Sequence, residues 1–171
     1  MSDEDRTDGQ SVLDLFDTYY HVPALVAVAA FMLWVRLQAY DTFVRDGQVV
    51  FSGNDAWYHL RQVNYTVRNW PGTMPFDPWT YFPYGTSAGQ FGTLYDQLVA
   101  TAALVVGLGA PSDQLIAKTL LVAPTVFGVI AIVPTFLIGR RIAGRGAALF
   151  GVAVLALLPG TFLQRTLVGF A

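Results

Sequence analysis

LIAKTLLVAPTVFGVIAIVPTFLI, Leu115–Ile138, followed by GRRIAGRG, Gly139–Gly146, decides the fold class. The first stretch is 24 residues long and carries a single charge, Lys118, near its start. Roughly 20 apolar residues are enough for a helix to cross a hydrocarbon core, so this stretch is expected to span a membrane. Pro124 and Pro134 should bend it and set it against other helices rather than lipid alone. Arg140, Arg141 and Arg145 crowd into the segment that follows. Short loops rich in Lys and Arg stay on the cytoplasmic side, which places residues 139–146 there.

Two more apolar runs flank this one. Val22–Ala39 has Arg36 as its only charge, close enough to the far end for the side chain to snorkel toward the headgroups. Ala147–Leu163 is the last. Leu94–Gly109 is apolar too, but it has only 16 residues and is interrupted by Asp96 and Gln97, so it is expected not to span. About three spans result, at 22–39, 115–138 and 147–163. A long external loop, about 40–93, and a short helix at 94–109 lie between the first two. The acidic segment 1–20, with Asp3, Glu4, Asp5 and Asp8, is then a cytoplasmic tail. Arg165 returns to the outside.

Composition agrees with an all-α membrane protein. Of 171 residues, 54% are hydrophobic and only 13% charged, where a soluble domain carries about 25%. Mean hydropathy is +0.46. A net charge of −2 and the lack of a basic patch argue against a nucleic-acid partner. There is no cysteine, which excludes a disulfide scaffold. The acids are almost all Asp and the bases almost all Arg, a bias that suits a high-salt or GC-rich source.

Any chemistry belongs in the external loop, which holds half of the chain's aromatic residues interspersed with Gly, Pro and Asp. Within it, SGNDAWYHLRQVNYTVRNWPG reads as a helix capped by Ser52 or Asn54 and ended by Pro71 and Gly72. Trp57, Leu60, Val63 or Asn64, Val67 and Trp70 share a face expected to lie on the membrane surface, with Arg61 and Arg68 nearer to water or lipid phosphate. Asp55 falls in the first turn, where the helix dipole favours a negative charge. A carboxylate there is a ligand for a hard cation such as Mg²⁺ or Mn²⁺, although an Asp near a helix start is more often a cap. Asp77, before Pro78, reads as a turn former. His59 is weak as a lone ligand and better suited to an interfacial hydrogen bond. Asp96 faces the same loop.

Asp-Ala-Trp-Tyr-His-Leu-Arg, Asp55–Arg61, after a first span and an FSGN lead-in, resembles the D-x-W-aromatic-x-x-R signature of the oligosaccharyltransferase catalytic subunit. Its archaeal branch, the dolichyl-phosphooligosaccharide–protein glycotransferases, is the most similar, and the Asp/Arg bias fits a haloarchaeal member. Phe76–Gly85 (FDPWTYFPYG) and Phe91–Asp96 (FGTLYD) are similar to later segments of the same loop. Gln164–Phe170 (QRTLVGF) resembles the run before the family's second acidic motif. The resemblance implies the N-terminal part of a GT-C type transmembrane domain in a membrane glycosyltransferase. Such an enzyme moves a glycan from a dolichol phosphate or pyrophosphate carrier to Asn in an N-x-Ser/Thr sequon of an acceptor polypeptide, on the outer face of the cell membrane. It implies Asp55 as a metal ligand for Mn²⁺ or Mg²⁺ that also contacts the acceptor amide, and Arg165 as a support of the active site. The second acidic motif, the later Glu loop and the C-terminal domain are absent, so the chain is expected to be an N-terminal fragment, inactive alone. A related polyprenol-phosphate sugar transferase, such as a protein O-mannosyltransferase, and a non-catalytic anchor subunit are the alternatives.

Overall fold

The computed structural model describes residue 14 and residues 18–158 and 160–169. The expected cytoplasmic tail falls almost entirely outside the described residues. Helices dominate the rest, and the chain divides into two compact units.

The first unit joins Met1–Val35 to Gly128–Leu163. Helix α1, His21–Leu37, supplies Leu25, Val28, Ala29 and Met32, spaced three and four apart on one face. They meet Ile132, Phe136, Ala148, Val152 and Ala156, and the His21 ring stacks on Phe136 with centroids 5.2 Å apart. The opposite side of α1 is equally apolar yet open, with Val26 63% and Trp34 62% exposed. A helix that is hydrophobic all round and buries one stripe needs an apolar solvent on the other.

The expected 115–138 helix is interrupted at Ala131, which keeps helical φ and ψ. One helix ends at Ile130 and the next runs Ile132–Leu157. The break lies four residues before Pro134, whose ring would meet the Ile130 carbonyl and which offers it no N–H. Nor is the Arg-rich segment an open loop, because helix continues through Arg140 and Arg141 and resumes at Arg145. The turn is a single residue, Gly144, at φ 82° and ψ 175°. A Cβ on Gly139 would stand 3.1 Å from the Ala148 Cα, and Phe136 and Ile132 share a cluster with Val152 and Ala156. Each of these pairs is nearly symmetric about Gly144, so the two halves form an antiparallel hairpin with the three arginines at its turn.

The second unit joins Arg36–Phe127 to Gln164–Ala171. After the one-turn helix α2, Tyr40–Phe43, strands β1 (Val44–Arg45) and β2 (Gln48–Val49) pair antiparallel. Asp46 and Gly47 between them both have positive φ, the two-residue hairpin turn that Asp-Gly favours. Helix α3, Asn54–Asn69, is followed by the antiparallel pair β3 (Phe76–Asp77) and β4 (Thr86–Ser87). Helix α4, Leu94–Val106, comes next, and then α5, Asp113–Ile130, most of which lies in this unit; Ile132–Leu157 is α6 and Thr161–Arg165 is α7. The core is Phe51, Ala56, Val63, Val99, Ala100, Ala103, Ile116, Leu120 and Leu121. Small residues at Ala56, Ala100 and Ala103 bring α3 close to α4. At 13 residues, α4 is about 20 Å long, short of a hydrocarbon core of about 30 Å. Two helical stretches, His21–Phe43 and Asp113–Leu157, are long and apolar enough to cross a membrane.

Arg36 does not snorkel. It is fully buried, its Nε donates to Thr166 Oγ1 at 2.9 Å, and its carbonyl accepts from the Val168 amide at 3.2 Å. The Gly169 amide donates to the Leu121 carbonyl and Thr125 Oγ1 donates to the Thr166 carbonyl. The segment after α7 is thereby bonded to both α1 and α5. Gly169 sits at φ 82°, and a Cβ there would come within 2.7 Å of the Phe43 ring. Gly169→Ala is therefore expected to destabilise the protein by about 1–3 kcal/mol, read as a lower Tm of the detergent-solubilised protein.

Candidate active site

Gly53, in extended conformation, starts α3, and no side chain caps it. Ser52 and Asn54 thus do not cap through their side chains as expected. Of the expected face, Val63 is buried and Leu60 and Val67 pack against the core, while Trp57 and Trp70 stay half exposed; Ala56, Gln62 and Thr66 are buried as well. Within the chain, α3 packs against α4.

Asp55, Tyr58 and His59 line an open cleft of about 740 Å³, together with Asn54, Trp57, Arg61, Trp79, Thr80, Tyr81 and Phe91. Asp55 is exposed in the first turn. Trp57 stands edge-on to Phe51, and Tyr58 edge-on to Phe91, at 5.5 and 5.7 Å between centroids. The cleft is therefore an aromatic trough with a carboxylate at its edge. Burial pushes the Tyr58 hydroxyl above its ordinary pKa, and the Asp96 and Asp77 carboxylates add to the rise.

Asp77 does more than form a turn. It is fully buried, and its Oδ1 accepts the Trp79 amide at 3.1 Å while its Oδ2 accepts the Thr80 hydroxyl at 2.7 Å. Arg61 donates to the same carboxylate from Nη2 at 2.7 Å and Nε at 3.3 Å, and from Nη1 to the Trp57 carbonyl at 3.2 Å. Burial alone would raise the Asp77 pKa; bonds from Arg61, Thr80 and Trp79 outweigh it and hold the carboxyl below its ordinary value. Arg61 is thus one-third exposed, but its guanidinium is committed to Asp77. Together with Asp77 it ties the 79–81 wall of the cleft to α3.

On the other side, His59 Nδ1 lies 2.7 Å from Asp96 Oδ1, a carboxylate only 1% exposed. Reading the sequence treated these two residues separately. Their pairing is visible only once α3 lies along α4. Arg165, exposed at the end of α7, is not among the residues lining the Asp55 cleft. Among the described residues no three His, Cys, Asp or Glu side chains converge in a way that could hold a metal ion. Asp55 offers a single carboxylate, and no chemical step through a metal follows from this chain alone.

Residues 24–171 match the family described as oligosaccharyl transferase STT3, N-terminal. The chain belongs to the STT3 oligosaccharyl transferase family. It is 66% identical over all 171 residues to the dolichyl-monophosphooligosaccharide–protein glycotransferase AglB of Haloferax volcanii, covering 16% of that protein. The fold is shared with AglB from Archaeoglobus fulgidus in complex with an inhibitory peptide and a dolichol-phosphate, with TM-score 0.78 and 33% identity over 91% of this chain and 18% of that one. The Archaeoglobus fulgidus oligosaccharyltransferase in complex with Zn and sulfate gives TM-score 0.75 and 32% identity over 86% of this chain and 18% of that one. The chain thus spans less than a fifth of the length of these STT3-family relatives, and its match lies in the family's N-terminal region.

Proposed function

We propose that the chain is the N-terminal part of a membrane oligosaccharyltransferase, which transfers a glycan from a dolichol phosphate or pyrophosphate carrier to Asn of an N-x-Ser/Thr sequon. The observation that carries this reading is the exposed Asp55 carboxylate at the edge of an aromatic cleft, in a chain 66% identical to a haloarchaeal glycotransferase. Asp55 contributes one ligand to a Mn²⁺ or Mg²⁺ ion, and the remaining ligands come from outside this chain. Arg165 supports the site from the segment bonded to Arg36 and Leu121. The Archaeoglobus protein, solved once with a peptide and dolichol-phosphate and once with zinc and sulfate, supports a carrier lipid, an acceptor peptide and a metal as partners. Transfer of a dolichyl-linked glycan to an Asn-x-Thr peptide, but not to its Gln-x-Thr counterpart, tests the reading in membranes carrying the intact enzyme; no transfer to either overturns it.

The same reading makes the chain a multi-pass protein of the cell membrane, with spans near 22–39, 115–138 and 147–163 and the Asp55 cleft on the external face. The 13-residue α4 and the arginines at the Gly144 turn support it. Cysteine at Ser52 is expected to react with an impermeant thiol reagent on intact cells, and cysteine at Gly146 is not. Gly146 is chosen over Gly144 because it has open space and no positive φ. Labelling at Gly146 but not Ser52 inverts the topology.

A further inference from the structure

His59 follows Asp55 by one helical turn, and both line the cleft. The His59 ring is fixed on three sides. Nδ1 meets Asp96, and the rings of Tyr58 and Tyr95 stand edge-on with centroids 5.2 and 5.0 Å away. Nε2 points away from Nδ1 across the ring. Since His59 lines the cleft and Asp96 does not, Nε2 is the nitrogen turned toward it. Asp96 is buried, and its second oxygen, Oδ2, has no hydrogen-bond partner. A positive charge beside a buried carboxylate stabilises it, and a His59 carrying protons on both ring nitrogens would supply one through a short charge-assisted bond. Arg61 is the other cationic side chain in the lining, and it is committed to Asp77. His59 is left to meet an anion.

We infer that His59, oriented by the buried Asp96 carboxylate, is a phosphate-binding residue that donates from Nε2 to a phosphoryl oxygen of the carrier in the Asp55 cleft. This rests on the transferase reading for the identity of the carrier, though the geometry asks only for a phosphoryl oxyanion. Asp96 is its positioning residue. The proposed bond runs directly between the His59 ring and a phosphoryl oxygen and needs no metal.

The test measures binding of dolichyl phosphate and of dolichol to the intact, detergent-purified enzyme, in chelator and again with Mn²⁺. Because a bond to a charged group is lost, His59→Ala should weaken dolichyl phosphate about tenfold or more in both conditions, while dolichol stays within about twofold. His59→Gln, whose amide nitrogen falls near the ring Nε2, should recover part of the loss. Asp96→Asn, which keeps an acceptor for Nδ1 without the charge, should show a smaller loss. Inorganic phosphate that competes as well as a short prenyl phosphate identifies free phosphate as the occupant; failure to compete identifies the lipid headgroup. Equal binding of dolichyl phosphate by wild type and His59→Ala, binding by neither, or a parallel loss of dolichol overturns the inference. If wild type transfers no glycan but the dolichyl phosphate contrast holds, the transferase reading fails and the phosphate site stands. If wild type transfers and His59→Ala leaves the donor KM unchanged, the phosphate site fails and the transferase reading stands.

Discussion

Asp55→Asn is expected to lower glycan transfer by the intact enzyme on the order of a hundredfold or more, since losing a ligand costs at least as much as losing its supporting partner. Folding should hardly change. Gly53 is the N-cap residue and no side chain caps α3, so Asp55 holds no structural bond that Asn would lose. What remains is its favourable place in the first turn, worth about 0.3–1 kcal/mol. Asn keeps the shape and discards the charge, so the loss should grow as Mn²⁺ becomes limiting and shrink as it becomes abundant. Transfer to a sequon peptide, titrated with Mn²⁺ beside a melting curve, reads both effects. Wild-type transfer at limiting metal would remove Asp55 from the ligand set.

Arg61→Ala should be the most damaging change to stability near the cleft. It leaves the fully buried Asp77 carboxylate without its cation. Such a loss costs about 3–5 kcal/mol for a pair buried on both sides, and less here because Arg61 is 33% exposed. We expect about 2–3 kcal/mol together with reduced transfer, because Trp79 and Thr80 lose their tether to α3. Arg61→Lys should not restore it, since an ammonium cannot reproduce the two-pronged contact. The acid limb gives an independent reading. Asp77 in the folded protein lies below its ordinary value, so its contribution is present above the unfolded pKa of about 3.9. That contribution is lost as pH falls through the lower folded value. Asp77→Asn should be less stable at neutral pH and lose less on acidification below about pH 4. A parallel acid limb in wild type and Asp77→Asn would show that another carboxylate governs it.

The long apolar runs and the place of Asp55 in a first helical turn were legible in the sequence, for two different reasons. The runs are set by composition over many residues, and Asp55 by a short motif that fixes its place in a helical turn. Packing partners were less accessible. The periodicity of α3 found Leu60, Val63 and Val67, which pack on the core, but it also counted Trp57 and Trp70, which stay half exposed, and passed over Ala56, Gln62 and Thr66, which are buried. Helix-breaking at Ile130 was in principle readable from Pro134, four positions later, but the apolar composition runs through the break without a mark. Three glycines flank the arginines, and only the backbone shows that Gly144 alone makes the turn. Arg61 with Asp77, and His59 with Asp96, are joined across 16 and 37 positions. No periodicity connects such pairs, since each partner sits on a separate element.

The bond between Arg36 and Thr166 spans 130 positions, and it has a consequence for the order of assembly. The hairpin β1–β2, helix α3, the cleft wall and α4 are all complete in the nascent chain before residue 110. Arg36, already in place at the end of the first helix, cannot take its partner until Thr166 emerges. At about 5–20 residues per second this interval is on the order of ten seconds. During it, the Arg36 guanidinium at the end of α1 lacks the Thr166 hydroxyl that it meets in the folded chain. Closure therefore comes last, and only then is the polypeptide after Arg165 delivered to a fixed position beside helices made much earlier.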